Sequence, residues 1–189
     1  MIDPLWLIPL GFAAGILGSM IGLGGGIIVV PVLTFFGFPP TLSASNSLFA
    51  AFSNAVGSTV SYSRQKRINY SLGLKLGLLC IPGTILGAYI SSDVTSGIFK
   101  MLFGLVLISS AVYIFLRKKI ETKEKKLTKF MIIFVIASSF FAGIISSFFG
   151  IGGGIIFVPL MVVGIGMTMK NAAPTSQFVL LFASMSGII

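Results

Sequence analysis

The chain has 189 residues, of which 56% are hydrophobic and 9% charged, with no histidine and one cysteine. Soluble domains carry about 25% charged residues, so this composition, with a mean hydropathy of +1.08, excludes an ordinary soluble domain and points to a membrane. The lone Cys80 excludes an internal disulfide framework, the lack of histidine argues against the usual metal clusters, and no cofactor is expected.

In chain order, Met1-Ile2-Asp3-Pro4 has no basic region before the apolar run, so it does not read as a cleaved signal peptide. Leu5 to Phe36 is apolar throughout and exceeds the roughly 20 residues of one span. It divides at Gly22-Leu23-Gly24-Gly25-Gly26, where glycine costs a helix most. Pro31 then either interrupts a continuing helix or opens a new half-helix. A second span, Leu42 to Tyr62, is rich in small and hydroxyl residues and should turn that face toward protein or water. Further spans are predicted from Leu72 to Ile90, with a kink at Pro82, and from Ile98 to Leu116. Lys75 and Lys100 lie near enough to span ends to snorkel. Arg117 to Lys129 is a polar connector, Phe130 to Gly166 a second long apolar segment, and a last span begins near Ala173.

The second half repeats the first. Gly22-Leu23-Gly24-Gly25-Gly26-Ile27-Ile28-Val29-Val30-Pro31 returns as Gly150-Ile151-Gly152-Gly153-Gly154-Ile155-Ile156-Phe157-Val158-Pro159. After one inserted residue, Ala44-Ser45-Asn46-Ser47-Leu48-Phe49 pairs with Ala173-Pro174-Thr175-Ser176-Gln177-Phe178. Two motifs in the same order, twice, indicate a duplication. The expected fold is an all-α integral membrane protein, a helical bundle of two repeats, each opening with a glycine-broken helix. About six membrane segments are expected: residues 1–116 as a first repeat of four, 117–129 as a basic cytoplasmic connector, and 130–189 as an incomplete second repeat of two.

The formal charge of +9 is gathered in short loops: seven of thirteen basic residues lie between Arg117 and Lys129, and Arg64, Lys66 and Arg67 form a second cluster. That is the positive-inside pattern of a multi-pass cell-membrane protein, not a nucleic-acid surface. If each broken segment counts as one crossing, both basic loops face the cytoplasm; the side of the N-terminus stays open, because a re-entrant first segment would reverse it without moving those loops. The loops at 36–41, 91–96 and 166–171 then face outward, and the two repeats share one sense across the membrane.

No enzyme constellation survives. Asp3, Asp93, Glu121 and Glu124 fall at span ends or in loops, and a Ser-His-Asp triad is impossible without histidine. The glycine runs lack the Lys-Ser/Thr of a phosphate loop and the spacing of a dinucleotide fingerprint. They do suit an anion. Bare successive N–H groups make an anion-binding concavity, and a half-helix starting at the break adds roughly half a positive charge. Broken helices of two repeats meeting near the midplane are a recurring plan in secondary transporters. Asn46, Ser47, Thr175, Ser176 and Gln177 would add neutral hydrogen bonds at that level.

At Gly15, Gly18, Gly22, Gly24, Gly25, Gly26 and Val30-Pro31, the following Ala-Ser-Asn-Ser, and the second copy ending Val158-Pro159 before Ala-Pro-Thr-Ser, the chain resembles the sulfite exporter TauE/SafE family. The resemblance implies an eight-helix transporter of sulfite and related sulfur-containing anions. It also implies that Gly24, Gly25, Gly26, Gly152, Gly153 and Gly154 line the substrate path. The second repeat stops after two segments where the family has four. The expected function is therefore a secondary transporter, an exporter of small sulfur-containing anions. An anion channel and a non-transporting scaffold are the alternatives. The expected partners are the small anionic substrate, membrane lipid and, as an open case, a second copy of the chain.

Overall fold

The computed structural model describes residues 4–92, 94, 96–116 and 129–188. Of the basic connector at 117–129, all but Lys129 lies outside the described residues, as do the acidic Asp3 and Asp93. Among the described residues every element is helical: α1 (Leu7–Ile21), α2 (Gly26–Phe35), α3 (Pro40–Arg64), α4 (Tyr70–Ser92), α5 (Ser96–Leu116), α6 (Lys129–Phe149), α7 (Gly154–Pro159) and α8 (Met169–Gly187). A 3-10 turn, Pro4–Trp6, precedes α1, and a π-helical turn, Leu160–Ile165, follows α7. Pro40 occupies the first turn of α3, where its missing N–H costs nothing.

The glycine breaks reverse the chain. Gly22, Gly24 and Gly25 have φ of 84°, 74° and 86°, and Gly150, Gly152 and Gly153 have φ of 68°, 78° and 85°. Residues with a Cβ rarely adopt this left-handed region, which is why both breaks are built from glycine. After the first break α2 runs back along α1. Gly25 lies against the Ala14 carbonyl, Val29 and Leu33 cluster with Ala14, and the ring of Phe36 sits 4.4 Å from that of Trp6. The second break does the same, with Gly153 against Ser146 and Gly164 against Val135. Each glycine-broken segment is thus a helical hairpin, which corrects the expectation of one crossing per segment. Pro31 lies inside α2, whose first residue is Gly26, so proline does not open the half-helix.

The hairpins explain the short helices. At about 1.5 Å per residue, the 15 residues of α1 and 10 of α2 fall short of a hydrocarbon core of about 30 Å. Tyr70–Ser91 is the one helix among the described residues that passes as a membrane span by length and composition.

The inserted residue of the second half also has a place. Pro31 to left-handed Gly37 becomes Pro159 to left-handed Gly166, one residue longer, and the interval holds the π turn Leu160–Ile165. A π turn absorbs an extra residue without shifting the helix that follows.

Helix α4 lies parallel to α6 and α8. Ser139 Oγ donates to the Leu76 carbonyl at 2.7 Å, Ser91 Oγ to the Phe148 carbonyl at 3.2 Å, and the Thr84 and Ser186 hydroxyls meet at 2.5 Å. Gly83 and Gly87 face the Phe140 and Ile144 carbonyls, and Gly143 faces that of Cys80. Small residues let these backbones touch, as in membrane bundles generally. Cys80 is buried, its thiol on the Gly77 carbonyl at 3.0 Å. Phe99, Phe148 and Phe149 join α5 to the end of α6, with Val30 in the same cluster.

The hairpin geometry is directly checkable. In a Cys80→Ala background, Trp6→Cys and Phe36→Cys should cross-link on oxidation. Were α1 and α2 one continuous helix, thirty residues at about 1.5 Å each would hold the pair roughly 45 Å apart, and no cross-link would form.

Candidate functional site

The two breaks meet, each against the other half of the chain. Ser47 Oγ on α3 donates to the carbonyl of Gly150 at 2.6 Å, and Ser176 Oγ on α8 donates to the carbonyl of Gly22 at 2.9 Å. A Cβ on Gly26 would lie 2.7 Å from the Gly150 carbonyl oxygen and 2.8 Å from the Cα of Ile151. A Cβ on Gly154 would strike Gly22 and Leu23 in the same way. Gly22 rests on Ala173, Gly150 on Ala44, and both Gly24 and Gly152 face the pair Ala51 and Leu180. Every contact has a partner at the matching position of the other half.

The hydrogen-bonding capacity at the crossing is incompletely used. Ile28 and Val29 return their N–H groups to the Gly25 carbonyl, and Ile156 and Phe157 theirs to that of Gly153. The amides of Gly26, Ile27, Gly154 and Ile155 have no backbone partner, as the first N–H groups of a helix do not. Gln177 Nε2 donates to the Gly18 carbonyl at 2.9 Å. Gln177 Oε1, Ser146 Oγ and Ser147 Oγ are buried without partners.

Of the sequence-predicted residues, the fold brings together Gly24, Gly25, Gly26, Gly152, Gly153, Gly154, Ser47, Ser176 and Gln177. Two do not join them. Asn46 is exposed, turned away by the helical step that points Ser47 inward. Thr175 is buried, but its hydroxyl donates to the Asn171 carbonyl and accepts from the Asn69 N–H at the start of α4.

The halves differ in open space. A groove of about 760 Å³ runs between α1 and α3 and reaches Gly24, Gly25 and Val29. Asn54, Ser58 and Tyr62 line it with hydroxyl and amide groups, and among the described residues no charged side chain does. Asn54 Oδ1 meets the Ser58 hydroxyl at 3.4 Å, while Asn54 Nδ2 is a buried donor without a partner. In the second half α4 covers the matching face of α6 and α8, and the ring of fully buried Phe157 lies over Gly153. The residue matching Phe157 is Val29, four carbons smaller and without a ring to cover Gly25. The unmatched pair Val29/Phe157 was legible in the repeat alignment; the vacancy beside Val29 was not.

Comparison with known proteins decides the family. The family described as Sulfite exporter TauE/SafE matches residues 7–189. The chain belongs to the TauE/SafE family. A probable membrane transporter protein of Methanocaldococcus jannaschii is 34% identical over 97% of this chain and 70% of its own length. One of Bacillus subtilis is 31% identical over 97% of this chain and 76% of its own length. A Sulfite exporter TauE/SafE family protein of Arabidopsis thaliana is 32% identical over 41% of this chain. No solved structure matches. TauE/SafE relatives are named as membrane transporters, so the chain is a membrane protein of transporter type and not an enzyme.

The crossing makes a stability prediction. Gly26→Ala forces a methyl into the opposite loop's backbone and should cost about 1–3 kcal/mol, as overpacking does. Gly57→Ala, on an open helix face with nothing within 4 Å, should be neutral or stabilise by up to about 1 kcal/mol. Thermal unfolding in one detergent checks the contrast, and equal midpoints would contradict the tight crossing.

Proposed function

We propose that the chain is a secondary transporter of a small sulfur-containing oxyanion such as sulfite, exporting it from the cell. In this reading the anion docks at the glycine crossing from the first-half side. The observation that carries it is the groove ending at Gly24 and Gly25, where a buried Asn54 Nδ2 donor has no protein acceptor. An oxyanion offers acceptors only, and it would complete that donor and the amides at the start of α2 without any buried cation. A lysine or arginine there would cost about 2.5–3.5 kcal/mol on insertion scales.

The two hairpins read as inverted repeats. Three full helices, α3, α4 and α5, separate them, so they enter the membrane from opposite faces. Loop 166–171, with Lys170, then joins Arg64, Lys66 and Arg67 on the cytoplasmic side, and the N-terminus lies outside. This replaces the equal-sense arrangement expected from counting crossings, and it agrees better with the positive-inside rule. Inverted repeats joined at a midplane site are suited to alternating access, one hairpin rocking against the other.

The Val29/Phe157 difference makes the test specific. Val29→Phe should place a ring over Gly25 as Phe157 covers Gly153, and should abolish ligand-induced thermal stabilisation by sulfite while the protein stays monodisperse. Phe157→Val should destabilise but keep the ligand response. An unchanged response in Val29→Phe would remove the groove from the site. Uptake into proteoliposomes then separates transport, which saturates, from a channel's large current and a scaffold's silence.

A further inference from the structure

We propose that the groove between α1 and α3 is the seat of a further membrane helix, an apolar one carrying small residues at four-residue spacing. It would pack there as α4 packs on α6 and α8. The inference rests on the correspondence between the two halves argued above.

The matching positions carry it. On α6, Ser139, Phe140, Gly143 and Ile144 form the surface under α4, with Ser139 bonded to Leu76, Gly143 against Cys80, and the Phe140 and Ile144 carbonyls under Gly83 and Gly87. Their counterparts on α1 are Gly11, Phe12, Gly15 and Ile16, and all four line the groove. On α8, Phe182 and Ser186 meet Gly77 and Thr84 of α4. Their counterparts on α3 are Ser53 and Gly57, which also line the groove. A Cβ on Gly11 or Gly57 would meet nothing within 4 Å, and one on Gly15 only Asn54 Oδ1 at 3.8 Å. One half has its helix seated; the other presents the same seat open.

The occupant's chemistry follows from the seat. Hydrocarbon tails would leave Ser53, Asn54 and Ser61 facing lipid, which is costly for polar groups. A helix with small residues and hydroxyls can approach the α1 backbone and complete those side chains, as Thr84 and Ser186 complete each other. A second copy of this chain cannot offer its own α4, because that helix is engaged on α6 and α8. The relatives have length to supply such a helix, since the match spans 70% of one and 76% of another. With the seat filled, the space beside Val29 would become an enclosed chamber over Gly25, and the groove would cease to open on lipid.

The test uses a peptide of the α4 sequence, residues 70–92, flanked by lysines and keeping its Cys80, added to the full chain in bicelles. The chain carries Cys80→Ala and either Phe12→Cys or Ile16→Cys, and a short bis-maleimide joins nearby thiols. We expect a chain–peptide adduct, lost when the peptide carries Gly83→Leu and Gly87→Leu. It should also be lost when the chain carries Gly11→Leu or Gly57→Leu, where an added Cβ meets nothing within 4 Å, while the variants still elute as a single species. A control cysteine at exposed Ile108 on α5 should give none. An adduct no stronger than this control, or one indifferent to the leucines, overturns the proposal. Chain–chain adducts that the peptide does not compete away overturn it too, by making the groove a contact between copies. Sulfite-induced stabilisation of the same chain without peptide reports separately on the transport site, so one reading can fail while the other stands.

Discussion

The structure depends on two loops that can approach one another only because they lack side chains. Each loop gives a carbonyl to a serine of the other half, Ser47 to Gly150 and Ser176 to Gly22. Each following helix begins with a glycine pressed on the opposite loop's backbone, Gly26 on Gly150 and Ile151, Gly154 on Gly22 and Leu23. Carbonyls buried in hydrocarbon and freed from helices must find partners inside the protein. Here each half supplies the partners the other lacks, so neither hairpin is complete alone. Six left-handed glycines, two serines and two close approaches form one interdependent junction.

Around this symmetric junction the side chains break the symmetry. Gln177 spans from α8 to the Gly18 carbonyl, whereas its counterpart on α3 is Leu48, which packs toward Gly187. Phe157 fills the space over Gly153, and Val29 leaves the matching space part of a groove. A duplicated frame with unequal filling can hold one ligand off-centre.

Much of this was legible in the residues. The repeat, the breaks and the polar motif downstream were all visible, and Ser47, Ser176 and Gln177 lie where the motif suggested. The all-helical architecture and helix limits followed from apolar runs and their polar ends. Chain reversal at the breaks was not legible, because apolar periodicity records which residues are buried and carries no sign for direction. A re-entrant first segment was compatible with the same charge pattern, but nothing in the sequence selected it. Asn46 and Thr175 failed to join the site for a local reason. On a helix, neighbours differ by about 100° in direction, so a motif three residues wide cannot point one way. The groove was hidden because it depends on which helix covers α1, a long-range fact. The π turn at Leu160–Ile165 shows the converse: a one-residue insertion seen in the sequence has a definite place in the fold.

Inversion of the two hairpins is the central claim, and sidedness tests it. Single cysteines at Gly37, after the first hairpin, and at Thr168, after the second, can be placed in a Cys80→Ala chain and exposed to an impermeant maleimide in intact cells. The cysteine at 37 is expected to label from outside, and that at 168 only once the membrane is opened. Labelling of both from the same side would mean that the hairpins enter from one face, and the crossing would have to be rebuilt.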